Sequence, residues 1–396
     1  MGQIVAAMAT VHAPQLFTRP PEEDPAQLDA GIAAMRELGR RLEAAKPDAV
    51  IIFGSDHMET FFLQSVPTFS IIAGEQANAA FAGKTWTAPI HHELAEALLE
   101  GLVERDFDMT YSQDAALGHS FAAPLQWIVG ERRIPVVPMF VNTYLPPLPT
   151  ARRCAALGKA IADIVKSRPE RVAVIASGGM SHYPGTRKYY KPAFDFDRWC
   201  IRELENGRSD SFLNLTPQQL DEVGNTEMLP WAIALGAVGE QHMELLSYQP
   251  TSHHGHAVAY FHPGPKPGVV DPAQTYQFHN EPFHFYNHPA VSAYKLNKLL
   301  YDSRFKPKMR LRMLTDAASV GAEYGLLPNE IEALVKVCRL EYSHTDRTAR
   351  DADPLVEIGA HPIGALMAIH VLQADQRHIM ERLLPKTENE LELSRK

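Results

Sequence analysis

The segment RVAVIASGGMSHYPG, residues 171–185, joins a short apolar run to a bend that presents a histidine. The run at residues 171–175 predicts a buried strand, because continuous apolar segments of this length are typical of sheets covered on both faces. Three glycines, two serines, a histidine and a proline then follow within ten residues. Glycine and proline break strands wherever they occur, so a turn with a surface imidazole explains His182 on its own. A functional interpretation requires the same arrangement elsewhere in the chain.

Two other segments also place a histidine directly after an apolar run. His12 follows the apolar run QIVAAMATV (residues 3–11), and His57 follows DAVIIFG (residues 48–54). In an open α/β sheet the carboxyl ends of parallel strands share one edge, and ligands bind in the crevice beside it. We therefore expect His12, His57 and His182 to converge, although they are far apart in the sequence.

Strand and helix patterns alternate as far as about residue 262. This alternation predicts an α/β fold with a mixed or parallel central sheet flanked by helices. A segment rich in proline and glycine follows, and the patterns after it are helical. We predict a catalytic domain at residues 1–280 and a smaller all-α domain at residues 281–396. Near the end of the first domain we expect Asn225 to be the N-cap of an apolar helix, in which Pro230 falls within the early turns.

Composition excludes several classes of protein. The 396 residues carry a formal net charge of -9, which argues against nucleic acid as the main partner. No stretch approaches the ~20 apolar residues of a membrane span, and the N-terminus predicts a first strand rather than a secretion signal. Three widely spaced cysteines indicate no disulfide framework, which favours a reducing cytoplasm. Eighteen histidines point instead to metal binding or acid–base chemistry.

A carboxylate is needed to complete a metal site around these imidazoles. Glu227, in GNTEMLPW (residues 224–231), lies in the predicted first turn of an otherwise apolar helix. Two imidazoles and one carboxylate form the facial triad of non-haem Fe(II) oxygenases, which leaves coordination positions open. Attraction between an acidic residue and the helix dipole explains Glu227 equally well, and the same donors also suit catalytic zinc.

The remaining candidates are polar residues near strand ends. His119 lies in DAALGHSFAAPLQ (residues 114–126), where a buried structural histidine is an equally good interpretation. The segment TSHHGHAVAYF (residues 251–261) holds three histidines, and strand alternation directs His254 and His256 to one side and His253 to the other. We take His253, His254 and Thr143 as candidate substrate-binding residues.

Several of these motifs together resemble a known family. ATVHAP, GSDHMETFF, ASGGMSH and TEMLPW occur in this order, and FDMT lies at residues 107–110. Over roughly residues 1–262 the sequence resembles the class III extradiol ring-cleavage dioxygenases, such as the catalytic β subunit of protocatechuate 4,5-dioxygenase. The region after His288 is similar to the small helical α subunit, here on the same chain as in gallate dioxygenases, where this module covers the mouth of the active site.

The resemblance implies a role for each candidate residue. His12, His57 and Glu227 would be iron ligands, His182 the acid–base residue, and His119 a neighbour of bound O2 and substrate. The implied activity is Fe(II)-dependent extradiol cleavage of a catecholic ring with O2 in aromatic catabolism. A non-enzymatic metal-binding scaffold of the same fold and a zinc hydrolase are the alternatives. A homodimer is expected from base rates alone.

Three departures from the family pattern fall where ring substituents should bind. GHS replaces DHG at His119, EIGAHPIG (residues 357–364) replaces LGGN-x-Y, and His253 or a neighbour replaces a substrate-contacting serine. Protocatechuate, gallate, methylated gallate and a dihydroxypyridine (hydroxypyridone) all remain candidate substrates. No arginine or lysine stands beside the site motifs to bind a carboxylate, which makes the dihydroxypyridine a serious alternative to the ring acids.

Overall fold

The computed structural model describes residues 2–186, 188–280, 287–339 and 354–383. The chain divides into two compact units. The first comprises residues 1–183 and 188–288, and the second comprises residues 184–187 and 289–396.

The strands all belong to the first unit. They are β1 (Gln3–Thr10), β2 (Ala49–Ser55), β3 (Phe69–Ile72), β4 (Gln76–Phe81), β5 (Lys84–Pro89), β6 (Met109–Ser112), β7 (Ala116–Leu117), β8 (Val136–Val141), β9 (Arg171–Ser177), β10 (Gln241–Pro250) and β11 (Gly255–Pro263). Eight of them form one sheet in the order β10-β11-β1-β9-β2-β8-β3-β6, and β5-β4-β7 form a second, smaller sheet.

Helices connect the strands and make up the described part of the second unit. They are α1 (Gln15–Thr18), α2 (Pro25–Ala45), α3 (His92–Val103), α4 (His119–Pro124), α5 (Ala151–Lys166), α6 (Phe194–Glu205), α7 (Asp210–Leu213), α8 (Pro217–Glu222), α9 (Leu229–Val238), α10 (Tyr294–Phe305), α11 (Pro307–Glu323), α12 (Pro328–Cys338), α13 (Pro354–Glu357) and α14 (Pro362–Leu383). A π-helical turn (Leu125–Val129) and 3-10 turns (Thr226–Met228, Val291–Ala293) complete the regular structure.

The centre of the large sheet is parallel. β1 pairs with β9, β9 with β2, and β2 with β8, all in parallel, whereas β11 and β3 join antiparallel at either side. β2 and β8 are buried along their whole length, as expected for strands covered on both faces. Helix α9 packs against β1, β2 and β9, and α2 packs against β1, β10 and β11. The predicted α/β class, mixed central sheet and helical C-terminal region are confirmed.

The helices of the second unit enclose an apolar core of their own. Leu296, Leu299 and Leu300 of α10 are buried with Leu334 of α12. Because α10, α11, α12 and α14 bury apolar side chains among themselves, the unit has the core that a separate domain requires. In the described parts of the chain, no helix combines the length and apolar character needed to cross a membrane.

The predicted role of Asn225 as a helix N-cap is wrong. Its side chain donates a hydrogen bond to Asp197 Oδ1 (3.0 Å) and accepts none from the helix backbone. A 3-10 turn follows it, and α9 begins only at Leu229. Pro230 therefore lies in the first turn of α9, where a missing N–H breaks no helical hydrogen bond.

Candidate metal centre

Four polar side chains follow the four parallel strands at the middle of the large sheet. His12 comes after β1, His182 after β9, His57 after β2, and Tyr144 after β8. The carboxyl ends of parallel neighbours lie at one edge of a sheet, so these side chains share that edge. The structure thus brings together the three histidines that the sequence predicted to converge.

The glycines after β9 allow two site segments to touch. A Cβ atom on Gly178 would lie 2.1 Å from the carbonyl oxygen of Glu227, so only glycine fits there. Gly179 has φ +71, a conformation that side chains disfavour. Trp231 Nε1 donates to the Gly178 carbonyl (2.9 Å), which holds the two segments together. The bend therefore brings the loop of His182 against the turn of Glu227.

His12 and His57 both contact the same carboxylate oxygen of Glu227. Glu227 Oε1 lies 3.2 Å from His12 Nε2 and 2.8 Å from His57 Nε2, and the Glu227 side chain is only 1% exposed. Two ligands held about 2.1 Å from one ion at right angles are about 3.0 Å apart. The spacing of these three donors therefore fits ligands of a single ion.

The hydrogen bonds around His12 assign its tautomer. Ser177 Oγ donates its one hydrogen to the carbonyl of Ser120 (2.5 Å), so it accepts from His12 Nδ1–H (3.1 Å). The lone pair of His12 is then on Nε2, the atom facing the Glu227 carboxylate. Such second hydrogen bonds orient the imidazole ligands of metals. A lone pair and a carboxylate oxygen in buried contact repel each other unless a cation lies between them, so this donor set fits a divalent metal.

The protonation states agree with that fit. Burial lowers the pKa of His57 to about 4, so its imidazole is neutral at pH 7. Metals bind neutral imidazoles, and His57 is in that form.

His182 lies beside this group, with its Nε2 atom facing Glu227. Its Nδ1–H donates to the carbonyl of Met180 (3.0 Å), so Nε2 carries the lone pair. Nε2 accepts a hydrogen bond from Tyr144 Oη (3.2 Å) and lies 3.5 Å from Glu227 Oε2. Burial lowers the pKa of His182, which keeps the imidazole neutral and able to take a proton.

His119 completes a cluster of three imidazoles. Its ring lies 4.1 Å from the ring of His57 and 5.2 Å from that of His12, centroid to centroid. One ring nitrogen of each of the three lies within 4.8 Å of the other two. On its other side, His119 Nδ1 is 3.5 Å from Glu59 Oε1, and Phe81 packs against the ring. His119 would therefore lie within reach of a molecule bound to an ion held by these residues.

The three candidate substrate-binding residues have different surroundings. His254 stacks on His182 with ring centroids 4.0 Å apart, directly beside the cluster. Thr143 is fully buried next to Tyr144. His253 is held elsewhere, because its Nδ1 lies 2.9 Å from Glu23 Oε1.

Both ring nitrogens of His253 are engaged by protein groups. Ser252 Oγ contacts Nδ1 (2.9 Å) alongside Glu23, and Gln15 Nε2 donates to Nε2 (2.7 Å). The ring also stacks on Tyr189 with centroids 4.5 Å apart. A substrate group must therefore displace one of these partners to reach a nitrogen of His253.

Sequence reasoning missed Asp197, a buried carboxylate on α6 that connects the site segments. It accepts hydrogen bonds from Ser181 N (3.1 Å) and Ser181 Oγ (2.8 Å), next to His182. It also accepts from Asn225 Nδ2 (3.0 Å), two residues before Glu227, and from Tyr248 Oη of β10 (2.8 Å). Burial raises the pKa of Asp197 to about 6, although these donors oppose the shift.

Comparison with known proteins identifies relatives of the first unit. The family model described as the catalytic LigB subunit of aromatic ring-opening dioxygenase matches residues 6–262. The 2,3-dihydroxyphenylpropionate/2,3-dihydroxicinnamic acid 1,2-dioxygenase of Klebsiella pneumoniae (strain 342) is 33% identical over 174 residues, which cover 44% of this chain and 55% of the relative. The enzyme named 2,3-dihydroxyphenylpropionate/2,3-dihydroxicinnamic acid 1,2-dioxygenase 2 of Pseudomonas putida is 32% identical over 211 residues, covering 53% of this chain and 64% of the relative.

These matches are partial. The chain spans 55% and 64% of the length of the two curated relatives. Among solved structures, an uncharacterized protein JW3007 from Escherichia coli K12 aligns over 65% of this chain and 99% of its own, with a TM-score of 0.47 and 18% identity.

Proposed function

Because the chain belongs to the family of the catalytic LigB subunit of aromatic ring-opening dioxygenases, we propose that it is an Fe(II)-dependent extradiol dioxygenase. It opens a catecholic ring beside the two hydroxyls and adds both atoms of O2 to the product. The observation that carries the proposal is the convergence of His12 Nε2 and His57 Nε2 on Glu227 Oε1, with the base His182 beside them.

His12, His57 and Glu227 would hold the ion. Two neutral imidazoles and one carboxylate are the ligand set of non-haem Fe(II) oxygenases, and they leave positions open for other ligands. When bound, Fe(II) supplies a binding point for both diol oxygens and for O2 and a route for electrons from ring to oxygen. The carboxylate offsets part of the charge of the ion, and Ser177 keeps the His12 ring in the tautomer that binds.

His182 moves the proton in this proposal. Its Nε2 lone pair takes a proton from a substrate hydroxyl, while Nδ1–H remains on the Met180 carbonyl. The imidazolium formed beside the ionised Glu227 is stabilised by that charge, 3.5 Å away. It would then return the proton to the oxygen atom that gains negative charge as the ring opens, and that atom stays in the product. Acid–base help of this kind contributes about 10²–10⁴-fold to a rate.

Two further side chains border the reacting atoms. His119 is close enough to His12 and His57 to hydrogen-bond an oxygen held near them, which stabilises developing negative charge. Tyr144 keeps the His182 ring oriented through the hydrogen bond to Nε2. The neighbouring Thr143 and His254 are proposed substrate contacts, and His253 becomes one only by exchanging a protein partner.

The substrate is an aromatic diol of protocatechuate or gallate type, or a dihydroxypyridine. The curated relatives are named for 2,3-dihydroxyphenylpropionate and 2,3-dihydroxicinnamic acid, so a catechol with an acid side chain belongs in the same test. We further propose that residues 1–280 form the catalytic domain, that residues 281–396 form the helical module of α-subunit type, and that the protein acts in the cytoplasm as a homodimer.

A metal and substrate panel tests the activity. Metal-free protein is loaded anaerobically with Fe(II), Zn(II) or no metal, mixed with each diol, and exposed to O2 in an oxygen electrode. We expect one O2 consumed per diol, only with Fe(II), together with the absorbance of a ring-opened product containing two labelled oxygens from ¹⁸O₂. The His182→Ala protein, loaded in the same way, is the matched control for ring oxidation without the base.

Two other outcomes would support the alternative functions. Hydrolysis of an ester or amide by the zinc-loaded protein without O2 uptake would identify a zinc hydrolase. Fe(II) binding with no turnover of any diol would identify a metal-binding scaffold. Either result would overturn the dioxygenase proposal.

A further inference from the structure

Two buried histidines beside the candidate metal centre have ring nitrogens without a protein partner. His254 is 3% exposed and His256 is 1% exposed. Among the described residues, no group hydrogen-bonds Nε2 of His254 or either ring nitrogen of His256. A buried polar atom left without a partner is unfavourable, so such atoms normally face water or a ligand.

These nitrogens adjoin the place where a substrate would meet His182. The His254 ring stacks parallel to His182, at 14° and 4.0 Å between centroids, and the His256 ring meets His254 edge-on at 4.8 Å. A ring nitrogen of His254 lies within 4.8 Å of ligand atoms of His182 and Glu227. Thus His254 lies directly beside the base His182, and His256 contacts the His254 ring.

The backbone fixes this arrangement. The carbonyl of His254 accepts hydrogen bonds from both Thr251 N (3.0 Å) and Thr251 Oγ1 (2.9 Å). The strand bridge between His182 and His254 aligns the two residues, and His256 lies in β11 opposite Gln249 of β10. The backbone positions of the two histidines are therefore fixed before a ligand binds.

The charges around the two rings disfavour an anion. Besides other histidines, Glu227 acts on His254 and Glu23 acts on His256. A metal ion held by Glu227 would offset the charge of that carboxylate, whereas Glu23, which contacts His253 instead, stays negative. Burial lowers the pKa of His254 well below its usual range and that of His256 to about 3, so neither imidazole supplies a positive charge. Burying a carboxylate without a cationic partner is strongly unfavourable, whereas a neutral imidazole both donates and accepts hydrogen bonds.

We propose that His254 and His256 form a subsite for an uncharged hydrogen-bonding group on the substrate ring, such as a carboxamide, a hydroxyl or the ring N–H of a pyridone, and that this subsite selects against a carboxylate. The proposal rests on the proposed ring-cleavage function for its biological meaning. It is tested by binding alone, so turnover is not needed to judge it.

Three matched catechols test the subsite. They carry a carboxamide, a carboxylate or a methyl group at the same ring position, and each is titrated anaerobically into the metal-loaded protein by calorimetry at pH 7. We expect the carboxamide to bind at least about tenfold more tightly than the carboxylate, the factor expected when one buried polar group loses its partner. The methyl compound, which cannot satisfy the imidazoles, should also bind more weakly than the carboxamide.

Variants show which residues cause the preference. His256→Leu and His254→Leu should each remove most of the preference for carboxamide over methyl, whereas His256→Gln should keep part of it. His242→Leu is the matched control, because His242 lies at the far end of the same strand pair, opposite His262. Circular dichroism checks that each variant is folded, and the three-ligand comparison on the unmodified protein needs no variant.

Two binding results would overturn the proposal that His254 and His256 form this subsite. Equal or tighter binding of the carboxylate, or leucine variants that weaken all three ligands by the same factor, would show that these histidines do not select the ring substituent. The expected binding pattern without O2 uptake would instead overturn only the proposed dioxygenase activity, so the two failures are distinguishable.

Discussion

Tyr144 Oη lies 3.2 Å from Nε2 of His182, the nitrogen that also faces Glu227. Because Nδ1–H of His182 is committed to the carbonyl of Met180, the phenol must be the donor in this contact. The proposed base therefore already accepts a hydrogen bond at the atom that would take the substrate proton. This hydrogen bond connects the tyrosine after β8 with the histidine after β9. A diol that gives its proton to His182 must displace the phenol from Nε2 or compete with it there.

Removing the base tests the role of His182. We expect His182→Ala and His182→Phe to lose about 10²–10⁴-fold in kcat, the contribution typical of a positioned acid–base group. Bound iron should stay near the unmodified level, because His12, His57 and Glu227 remain. Metal analysis and O2 uptake on the same samples measure both quantities. A variant rate close to that of the unmodified protein would contradict the assignment.

Tyr144→Phe should have a smaller effect with a distinct pH signature. The phenol donates to the lone pair of neutral His182, so it stabilises the neutral form and lowers the pKa. Without it the pKa of His182 rises, and the acidic limb of kcat/KM should move to higher pH, with kcat at pH 7 falling about five- to tenfold. A pH profile of kcat/KM for both proteins measures the shift. An unchanged acidic limb would show that the phenol does not act on the base.

Removal of the carboxylate should weaken metal binding. Glu227→Ala leaves two imidazoles to hold the ion, so we expect at least a tenfold loss of Fe(II) or Co(II) affinity, measured by competition with a chelator. Glu203→Gln is the matched control, because Glu203 is an equally buried carboxylate that binds Arg208 rather than site residues. Full metal occupancy in Glu227→Ala would remove Glu227 from the ligand set.

Much of this site could be predicted from the histidines that directly follow predicted strands. His12, His57 and His182 each follow an apolar run, and parallel pairing of β1, β9 and β2 makes their convergence a consequence of the fold. Glu227 could be singled out only as a charge in an apolar helix, and its contact with the glycine loop depends on tertiary packing.

The residues that sequence reasoning missed or misjudged depend on long-range contacts. Asp197 lies on a helix without any motif, so nothing local indicates its four donors. Asparagine is a residue type that often caps helices, but the side chain of Asn225 binds the buried carboxylate of Asp197 instead. Alternation in the sequence already separates His253 from His254, but no local pattern indicates Glu23 as the partner of His253.

Asp197 should position the catalytic segments. In Asp197→Asn the new amide faces hydrogen-bond donors, so we expect a loss of about 1–3 kcal/mol in stability together with lower kcat and metal affinity. The matched control is Tyr248→Phe, which removes one of the same hydrogen bonds but from β10. It should lower the melting temperature while leaving kcat within about twofold. Equal kcat losses in both variants would indicate a general structural role instead.

The buried histidines should make stability depend on pH. Burial lowers the folded pKa of His256 to about 3, below the unfolded value of ~6.5. Between these values the unfolded chain binds a proton that the folded protein does not, so the free energy of unfolding should fall as pH drops from about 6.5, by up to ~1.4 kcal/mol per pH unit for each such histidine. His256→Gln cannot titrate, so its slope should be shallower by one proton. Urea unfolding of metal-free protein between pH 5 and pH 7 measures both slopes, and parallel slopes would mean that His256 is already protonated, or exposed to water, in the folded protein.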